Sequence, residues 1–577
     1  IKSTEYHEHA DSAVRQKRLV EHASTRYFDD GSDTAPPTAA LAFGSHGPRG
    51  FKYEDYKLAL TRDLLHAVFE SKLLDRVNAT LTAQQMLDDP KISGYIHGAD
   101  IAPAFTGQYW MRSGTAGFSA EAHKHFYLAN EFIDPFGSKT TLTYDSRDLF
   151  ILSTKDALGN TSGIWLDGAG ATAKPRFDYR VLAPIEMVDA NGNRSEVYFD
   201  TLGMVVAAAV KGKGSEADDL IGFDYALANP STAAVQAFCT ATEMNEVKAR
   251  AWLGRATARF VYHFGDVNGA WNQRMAGACG IARETHKDPA SKLQVSLECS
   301  DGSGNVLMKK VQAEPDPDTG ATRWIVNGLT ILNNKGKPVK QFEPNFTPDF
   351  GCEMPTENGV STTTYYDAAG RVMRVEMPDG TFSRVEFSPW FSRSFDANDT
   401  VLEPECTWYS KNGRNRFAPA TPLPMPIPGI TDPPRPDERA GWLAAQHANT
   451  PAETHFDSLG REVIAIAHNR TPDAGGIWHD ERYFTFTKLD AEGKPLWIRD
   501  ARGNLVMQYV TPPKPTRLAA TPVNPRDATD TSGEYLPAGS APCYDIAGNL
   551  LFQHSMDAGD RWMLMDAAGK PMLAWDV

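Results

Sequence analysis

Few segments of this 577-residue chain carry side chains of the type and spacing that chemistry requires. Gly168-Ala-Gly170-Ala-Thr-Ala173 has the look of a dinucleotide loop. That mechanism needs a helix N-terminus facing the pyrophosphate. Here Lys174-Pro175 and a strand-like Phe-Asp-Tyr-Arg-Val-Leu follow instead. Asp189, Asn191, Asn193 and Asp200 imitate a calcium loop, but such a loop needs glycine at its sixth place for the sharp turn. Arg194 stands there, and the glycine, Gly192, is at the fourth. His7-Glu8-His9 and His123-Lys124-His125 would put two ring nitrogens on one face of a strand. A metal takes three or four ligands, each held by an outer hydrogen bond, and the sequence suggests no third. There is no G-x-S-x-G, no H-E-x-x-H and no P-loop. The six cysteines are far apart with no C-x-x-C, and most are expected to be small buried apolar side chains. The expectation is a chain with no catalytic, cofactor-binding or metal-binding residues.

What recurs instead is an aspartate with a glycine three residues on. An apolar or aromatic residue precedes it, and a polar residue and an alternating apolar stretch follow. The fullest copy is Tyr366-Asp367 with Gly370, succeeded by a second turn at Pro378-Asp379-Gly380. Phe456-Asp457 with Gly460 and Tyr544-Asp545 with Gly548 repeat it. So do Phe199-Asp200 with Gly203, Leu489-Asp490 with Gly493 and Val188-Asp189 with Gly192. Shorter copies pair Asp134 with Gly137, Asp156 with Gly159, Asp500 with Gly503 and Asp566 with Gly569. Asp301 with Gly304 and Asn333 with Gly336 are weaker relatives.

The chemistry of this pattern is structural. Asp at the first position of a type I turn accepts hydrogen bonds from backbone N–H groups two residues on. Gly three residues later takes positive φ without steric cost, which fits a type I turn followed by a glycine bulge. After Gly370, Val372, Arg374 and Glu376 fall on one side and Met373, Val375 and Met377 on the other. This is the period-2 signature of a hairpin. One D-x-x-G carries no weight, but ten with strand-like flanks do. The turn aspartates occupy equivalent places, so environments different enough to split their pKa values for acid/base work are not expected. Tyr366, Phe456 and Tyr544 read as packing and cross-strand elements, with a carbohydrate-facing platform as the alternative.

Composition bounds the rest. Hydrophobic residues are 41% and charged residues 23%, as in a folded soluble protein. The net charge of −15 argues against a general nucleic-acid binder. No apolar run reaches the roughly 18 residues of a membrane helix. Gly (46) and Pro (38) are spread throughout, as many short strands with many turns require. Residues 1–130 read as an opening segment with a helical insertion near 53–88, where apolar residues recur at three- and four-residue spacing up to Pro90. Repeat strands are expected over 131–230, 257–418 and 451–577. Ser231-Thr232 would cap a second helical insertion at 231–256. A Pro-rich loop and short helix occupy 419–450, and His123–His125 fall in a strand. The sequence starts at Ile1 and stops at Val577 inside a strand pattern, which reads as a segment of a longer polypeptide.

The repeats resemble the YD repeats of the Rhs (rearrangement hotspot) proteins. Their context resembles the B and C subunits of bacterial insecticidal ABC toxin complexes and large single-chain relatives. Stretches 18–30, 53–61, 132–145, 156–160, 178–206, 331–344, 398–409 and 454–470 carry the likeness beyond the repeat itself. The resemblance implies a mainly β fold: antiparallel hairpins in one long spiralling sheet that forms a hollow shell, or part of one, with a few inserted helices. It implies a shell that encapsulates a toxic polypeptide until delivery, secreted by bacteria after synthesis in the cytoplasm. The implied partners are the remaining segments of the parent polypeptide, the enclosed toxin segment and other toxin-complex subunits, with no nucleic acid, no membrane span and no cofactor. The family's end plug, its aspartyl self-cleavage motif and its toxin would lie beyond Val577, so the segment itself would not be an enzyme. The alternatives are a surface adhesion or carbohydrate-binding protein built from the same repeats, or an enzyme within the inserted helices.

Overall fold

A computed structural model of the chain describes residues 2–4, 6, 14–77, 80–168, 173–212, 218–239, 244, 246–264, 276–301, 303–327, 329–351, 357, 359–412, 436–511 and 541–576. It is 44% strand and 13% helix. Two antiparallel sheets of fourteen strands each dominate, and a four-stranded sheet precedes them. The first long sheet runs strand beside strand from Thr115–Phe118 to Val306–Gln312 and then takes in Trp324–Asn327 and Asn345–Thr347. The second begins with Thr330–Leu332 and Pro338–Phe342, resumes at Ser361–Tyr366 and ends at Pro571–Asp576. One continuous sheet was the expectation. The chain instead passes back and forth between two sheets over residues 324–366, which stitches them together.

The N-terminal sheet corrects the helical reading of 53–88. Lys52–Thr61 is a strand, paired with Ala23–Tyr27 on one side and Gln108–Arg112 on the other. Tyr56, Leu58 and Leu60 bury alternate positions, a period of two hidden inside an apparent period of three and four. The helix starts only at Arg62, where Thr61 Oγ1 accepts from Leu64 N at 3.2 Å. Pro90 starts a short helix, Pro90–Ser93, capped by Asp89, and does not end one. Helices Thr232–Cys239 and Glu246–Leu253 fill the second insertion, with Ser231 Oγ accepting from Ala234 N at 3.3 Å. They cover one face of the first sheet, where Val261, Cys279, Ile281, Leu297 and Cys299 form a core. Two further stretches read as strand are helical: Ala122–Lys124 is a 3₁₀ turn and Thr407–Asn412 an α-helix. Pro436–Gln446 is the short helix, and the Pro-rich run at 419–435 lies outside the described residues.

Much of the second sheet is a single layer. Across Ser361–Tyr366 and Val372–Glu376 side chains on both faces are half-buried or exposed, and in Glu462–Pro472 Ile466 alone is buried. Aromatic rings of this sheet are also roofed by arginines from neighbouring strands. Arg374 lies 3.8 Å over the Phe382 ring, Arg384 3.7 Å over Phe395 and Arg499 4.7 Å over Phe486. The alkyl stem covers the ring edge while the guanidinium meets the π face.

The strip returns to its beginning. Ile546 N donates to Ala59 O at 2.9 Å and Ala567 N to Ser93 O at 2.8 Å. Trp562 Nε1 donates to Val68 O at 3.0 Å and Tyr95 OH to Asp566 O at 3.2 Å. Leu58, Leu64, Val68 and Phe69 pack with Phe552, Leu564 and Trp575 in one cluster. The N-terminal sheet, the first long sheet and the second thus follow one another around a closed circuit. Its seam is a buried apolar contact. Phe552→Ala should therefore cost about 3–5 kcal/mol in urea unfolding and speed proteolysis within residues 58–95. Leu459→Ala, at an exposed corner, should change stability by about 0.5 kcal/mol or less. Equal losses would show that the seam is not part of the core.

Candidate functional site

The repeated aspartates sit at the hairpin corners, and Asp457 shows how each works. Its Oδ1 accepts from Leu459 N at 2.9 Å and from Arg461 N at 3.0 Å. Gly460 N donates to Asp457 O at 3.0 Å, and Asp457 N donates to Arg461 O at 2.9 Å. Four short bonds thus close five residues, with Gly460 at φ 77°. The same carboxylate contacts, two and four residues on, recur at Asp134, Asp156, Asp189, Asp200, Asp490, Asp500 and Asp566. Asp367 and Asp545 accept from the fourth N–H, of Arg371 and Asn549, and close the same backbone bonds. Gly137, Gly159, Gly192, Gly203, Gly370, Gly380, Gly493, Gly503, Gly548 and Gly569 all have φ between 74° and 102°.

The structure gives the fifth position a role that sequence reasoning left as merely polar. Its side chain takes the second carboxylate oxygen: Asn160, Asn193, Asn504 and Asn549 donate Nδ2 at 2.8–3.1 Å. Arg371 and Arg461 donate Nε at 2.7 and 2.6 Å. The tyrosine before the aspartate is also more than packing. Tyr366 OH donates to Pro338 O at 2.7 Å and Tyr544 OH to Pro495 O at 2.9 Å. Each proline directly follows an earlier corner, Asn333–Lys337 or Asp490–Lys494, so the hydroxyl ties one corner to another. Phe456 has no hydroxyl and packs only.

Some corners were not legible as D-x-x-G. Asp145 accepts from Leu149 N at 2.7 Å and from Tyr179 OH at 3.0 Å, and Asp148 takes the glycine place at φ 58°. Asp473 with Gly476 is a further full copy of the corner. Asp379 stands third in its corner, which Met377 opens: Gly380 N donates to Met377 O at 3.0 Å. A Cβ on Gly380 would come within 2.0 Å of Thr407 Oγ1, at the start of the helix Thr407–Asn412.

The aspartates are not all equivalent, which corrects the sequence reading. Asp156 is exposed and Asp457 half-buried, and hydrogen bonds from the Asn160 and Arg461 side chains, then from backbone N–H groups, hold their carboxyls below the usual range. Asp545 lies in the seam with no exposed surface. Burial raises its carboxyl against the lowering effect of Asn549 and Lys494. Its carbonyl accepts from Tyr6 OH at 3.1 Å, and Lys494 Nζ donates to that hydroxyl at 2.8 Å.

The other constellations resolve into structure. Lys174–Pro175 is a strand paired with Leu166–Asp167, so no helix follows Gly168; Ala169–Thr172 lie outside the described residues. Asp189 is a hairpin corner with its own backbone as ligand. His125 Nδ1 meets Asp148 at 3.0 Å, while His7 and His9 lie outside the described residues. Among the described residues no three His, Cys, Asp or Glu side chains converge on a metal position. Cys239, Cys279, Cys299, Cys406 and Cys543 are buried thiols, and Cys352 lies outside the described residues. Beside the second insertion, Asp218 is buried and accepts from His286 Nδ1 at 2.8 Å, Thr257 Oγ1 at 2.7 Å and Lys287 N at 2.7 Å, which anchors the insertion to strand ends. A cavity of about 380 Å³ beside the Asp200 corner is lined in part by Arg259. That guanidinium is committed to the carbonyls of Val206, Phe260 and Leu227, and burial pulls its pKa down to about 10.

No family model matches the chain, and no curated protein is similar to it at a significant level. Solved structures are. The chain superposes on TcdB2-TccC3 with a TM-score of 0.64 at 18% identity, over 96% of this chain and 23% of that one. It superposes on the Photorhabdus luminescens Tc holotoxin pore with a TM-score of 0.67 at 17% identity, over 96% and 25%. TcdB2-TccC3 without its hypervariable C-terminal region gives 0.63 at 17%, again over 96% and 25%. At such identities the likeness is one of fold: a mainly β protein with the architecture of the ABC toxin shell. The chain spans about a quarter of the length of the chains it matches.

Two measurements test the corners. Gly370→Val should destabilise by about 1–3 kcal/mol, because a β-branched residue is strained at positive φ. Tyr366→Phe should cost about 1 kcal/mol for its lost hydrogen bond. The pH dependence separates the two kinds of aspartate. A lowered folded pKa, as at Asp457, contributes stability above the unfolded value of about 3.9, lost as pH falls through the folded one. A raised one, as at Asp545, imposes a penalty that grows as pH rises from about 3.9 through the folded value. Asp545→Asn should therefore gain stability relative to the wild type between pH 4 and pH 7 in urea unfolding. A variant that loses ground over that range would show the buried carboxylate to be fully compensated.

Proposed function

We propose that this chain is a wall segment of an ABC-type toxin shell, and that the shell keeps a toxic polypeptide apart from the producing cell until delivery. The observation that carries the reading is the closed strip itself. A strip of hairpins that returns to its own beginning can enclose volume, which a packed core cannot do. Likeness of fold to TcdB2-TccC3 and to the Tc holotoxin pore supports it. In this reading the segment is scaffold and not catalyst, and self-cleavage and toxicity belong to other parts of the parent polypeptide. Its partners are those other parts, the enclosed polypeptide and neighbouring toxin-complex subunits. The assembly is made in the bacterial cytoplasm and secreted. Among the described residues no helix is long and apolar enough to cross a membrane.

The test is a cryo-EM map of the parent polypeptide together with limited proteolysis. The expected result is a shell with protein density inside it, and an enclosed segment that resists protease until the seam is loosened by Phe552→Ala. A filled body, or an equally protease-sensitive segment in both proteins, would overturn the reading.

A further inference from the structure

The hairpin Glu462–Pro472 and Trp478–Leu489 is longer than its neighbours. The preceding strand pairs only as far as Ile466, and the following one only up to Phe486. The residue pairs from Ala467↔Tyr483 to Pro472↔Trp478 therefore overhang the sheet as a two-stranded ribbon, about 20 Å long at the usual strand rise. A bare two-stranded ribbon is marginal in water. One flank is supported: Arg470 donates to Gln446 O at 3.0 Å and to Ala448 O at 3.1 Å, and the His447 ring meets Trp478 edge-on at 5.4 Å. The other flank, the outer edge of the strand that begins at Trp478, has no such cover among the described residues.

The direction of the backbone groups on that edge follows from the corners at either end. Asp473 N donates to Ile477 O and Asp490 N to Lys494 O. Alternation along an antiparallel ladder then turns the N–H and C=O groups of Trp478, Asp480 and Arg482 outward. None of these three N–H groups donates to another described residue. Asp480 and Arg482 are exposed on one face of the ribbon, and His479 and Tyr483 on the other. Such charges guard an open edge against apolar segments and against indiscriminate pairing. Asp480 Oδ1 already accepts from Arg470 Nε at 2.8 Å and meets His468 Nε2 at 3.1 Å on the partner strand, so a basic guest residue opposite it would share that carboxylate, and Arg482 adds a cation two residues on.

We propose that the Trp478–Arg482 edge accepts one extended strand from another polypeptide chain, with a basic residue opposite Asp480 and an acidic residue opposite Arg482. Main-chain hydrogen bonds would give the affinity and the two charge pairs the register. Pairing with a second copy is disfavoured, because an antiparallel register that sets Asp480 against Arg482 also sets Glu481 against Glu481.

The probe is the fluorescein-labelled peptide Thr-Val-Glu-Thr-Lys-Val-Thr, with a control in which Glu and Lys are exchanged. Both are titrated by anisotropy against the full chain, with amide exchange followed on the same samples. Saturable binding of the first peptide with slowed exchange at Trp478, Asp480 and Arg482 is expected. Arg482→Pro removes an outward N–H without touching the ribbon's own ladder, and should weaken binding about tenfold or more. Arg482→Ala keeps the N–H and should weaken it only about threefold. Asp480→Lys should reduce the preference for the first peptide, and unchanged exchange at Asn469 and Glu481 would show that each variant ribbon is folded. Failure of both peptides to bind, or binding that survives Arg482→Pro, overturns the proposal. So does a sedimenting dimer that Arg482→Pro abolishes, which would assign the edge to self-association.

Discussion

One interaction underlies this architecture: an aspartate carboxylate that gathers the N–H groups of a tight corner. A chain reversal leaves backbone donors without ladder partners, and a thin wall has no interior in which to hide them. At Asp457 one carboxylate oxygen takes two donors and the other takes the Arg461 side chain. The corner is satisfied from within its own five residues and needs nothing from a core. That self-sufficiency lets corners follow one another along the rim of a sheet whose faces are both largely in contact with water.

A wall of this kind has to replace the cohesion that a packed interior normally supplies. Three devices share the task. Arginines lie over phenylalanines on adjacent strands, as Arg374 does on Phe382. Tyrosine hydroxyls bind one corner to another, as Tyr366 does to Pro338. Patches of true core then anchor the strip: the helices 232–253 on the first sheet, the seam where residues 541–576 meet 58–95, and smaller clusters around Phe382 and Trp497 on the second sheet. Between these anchors stability is a sum of neighbour terms, as in other repeat architectures.

The corners were legible in the sequence because their requirements are local. An acceptor at the first place and a residue free to take positive φ at the fourth are written within five positions. The same locality explains the misses. Asp148 adopts φ 58° where glycine is usual, so its corner has no D-x-x-G to find. Lys52–Thr61 was read as helix because its apolar residues satisfy both periods, and only the flanking strands settle which one holds. The tyrosine hydroxyl bonds, the passage of the chain between two sheets and the burial of Asp545 depend on segments far apart in sequence. No local spacing encodes them.

The seam also has a bearing on how the chain is made. Leu58, Leu64, Val68 and Phe69 leave the ribosome before the residues that cover them, Phe552 and Leu564, which come about 490 positions later. At ordinary elongation speeds of about 5–20 residues per second, that sticky patch waits roughly 25–100 s for its cover. Nascent chains of this type are therefore natural clients for chaperones that shield apolar surface during synthesis.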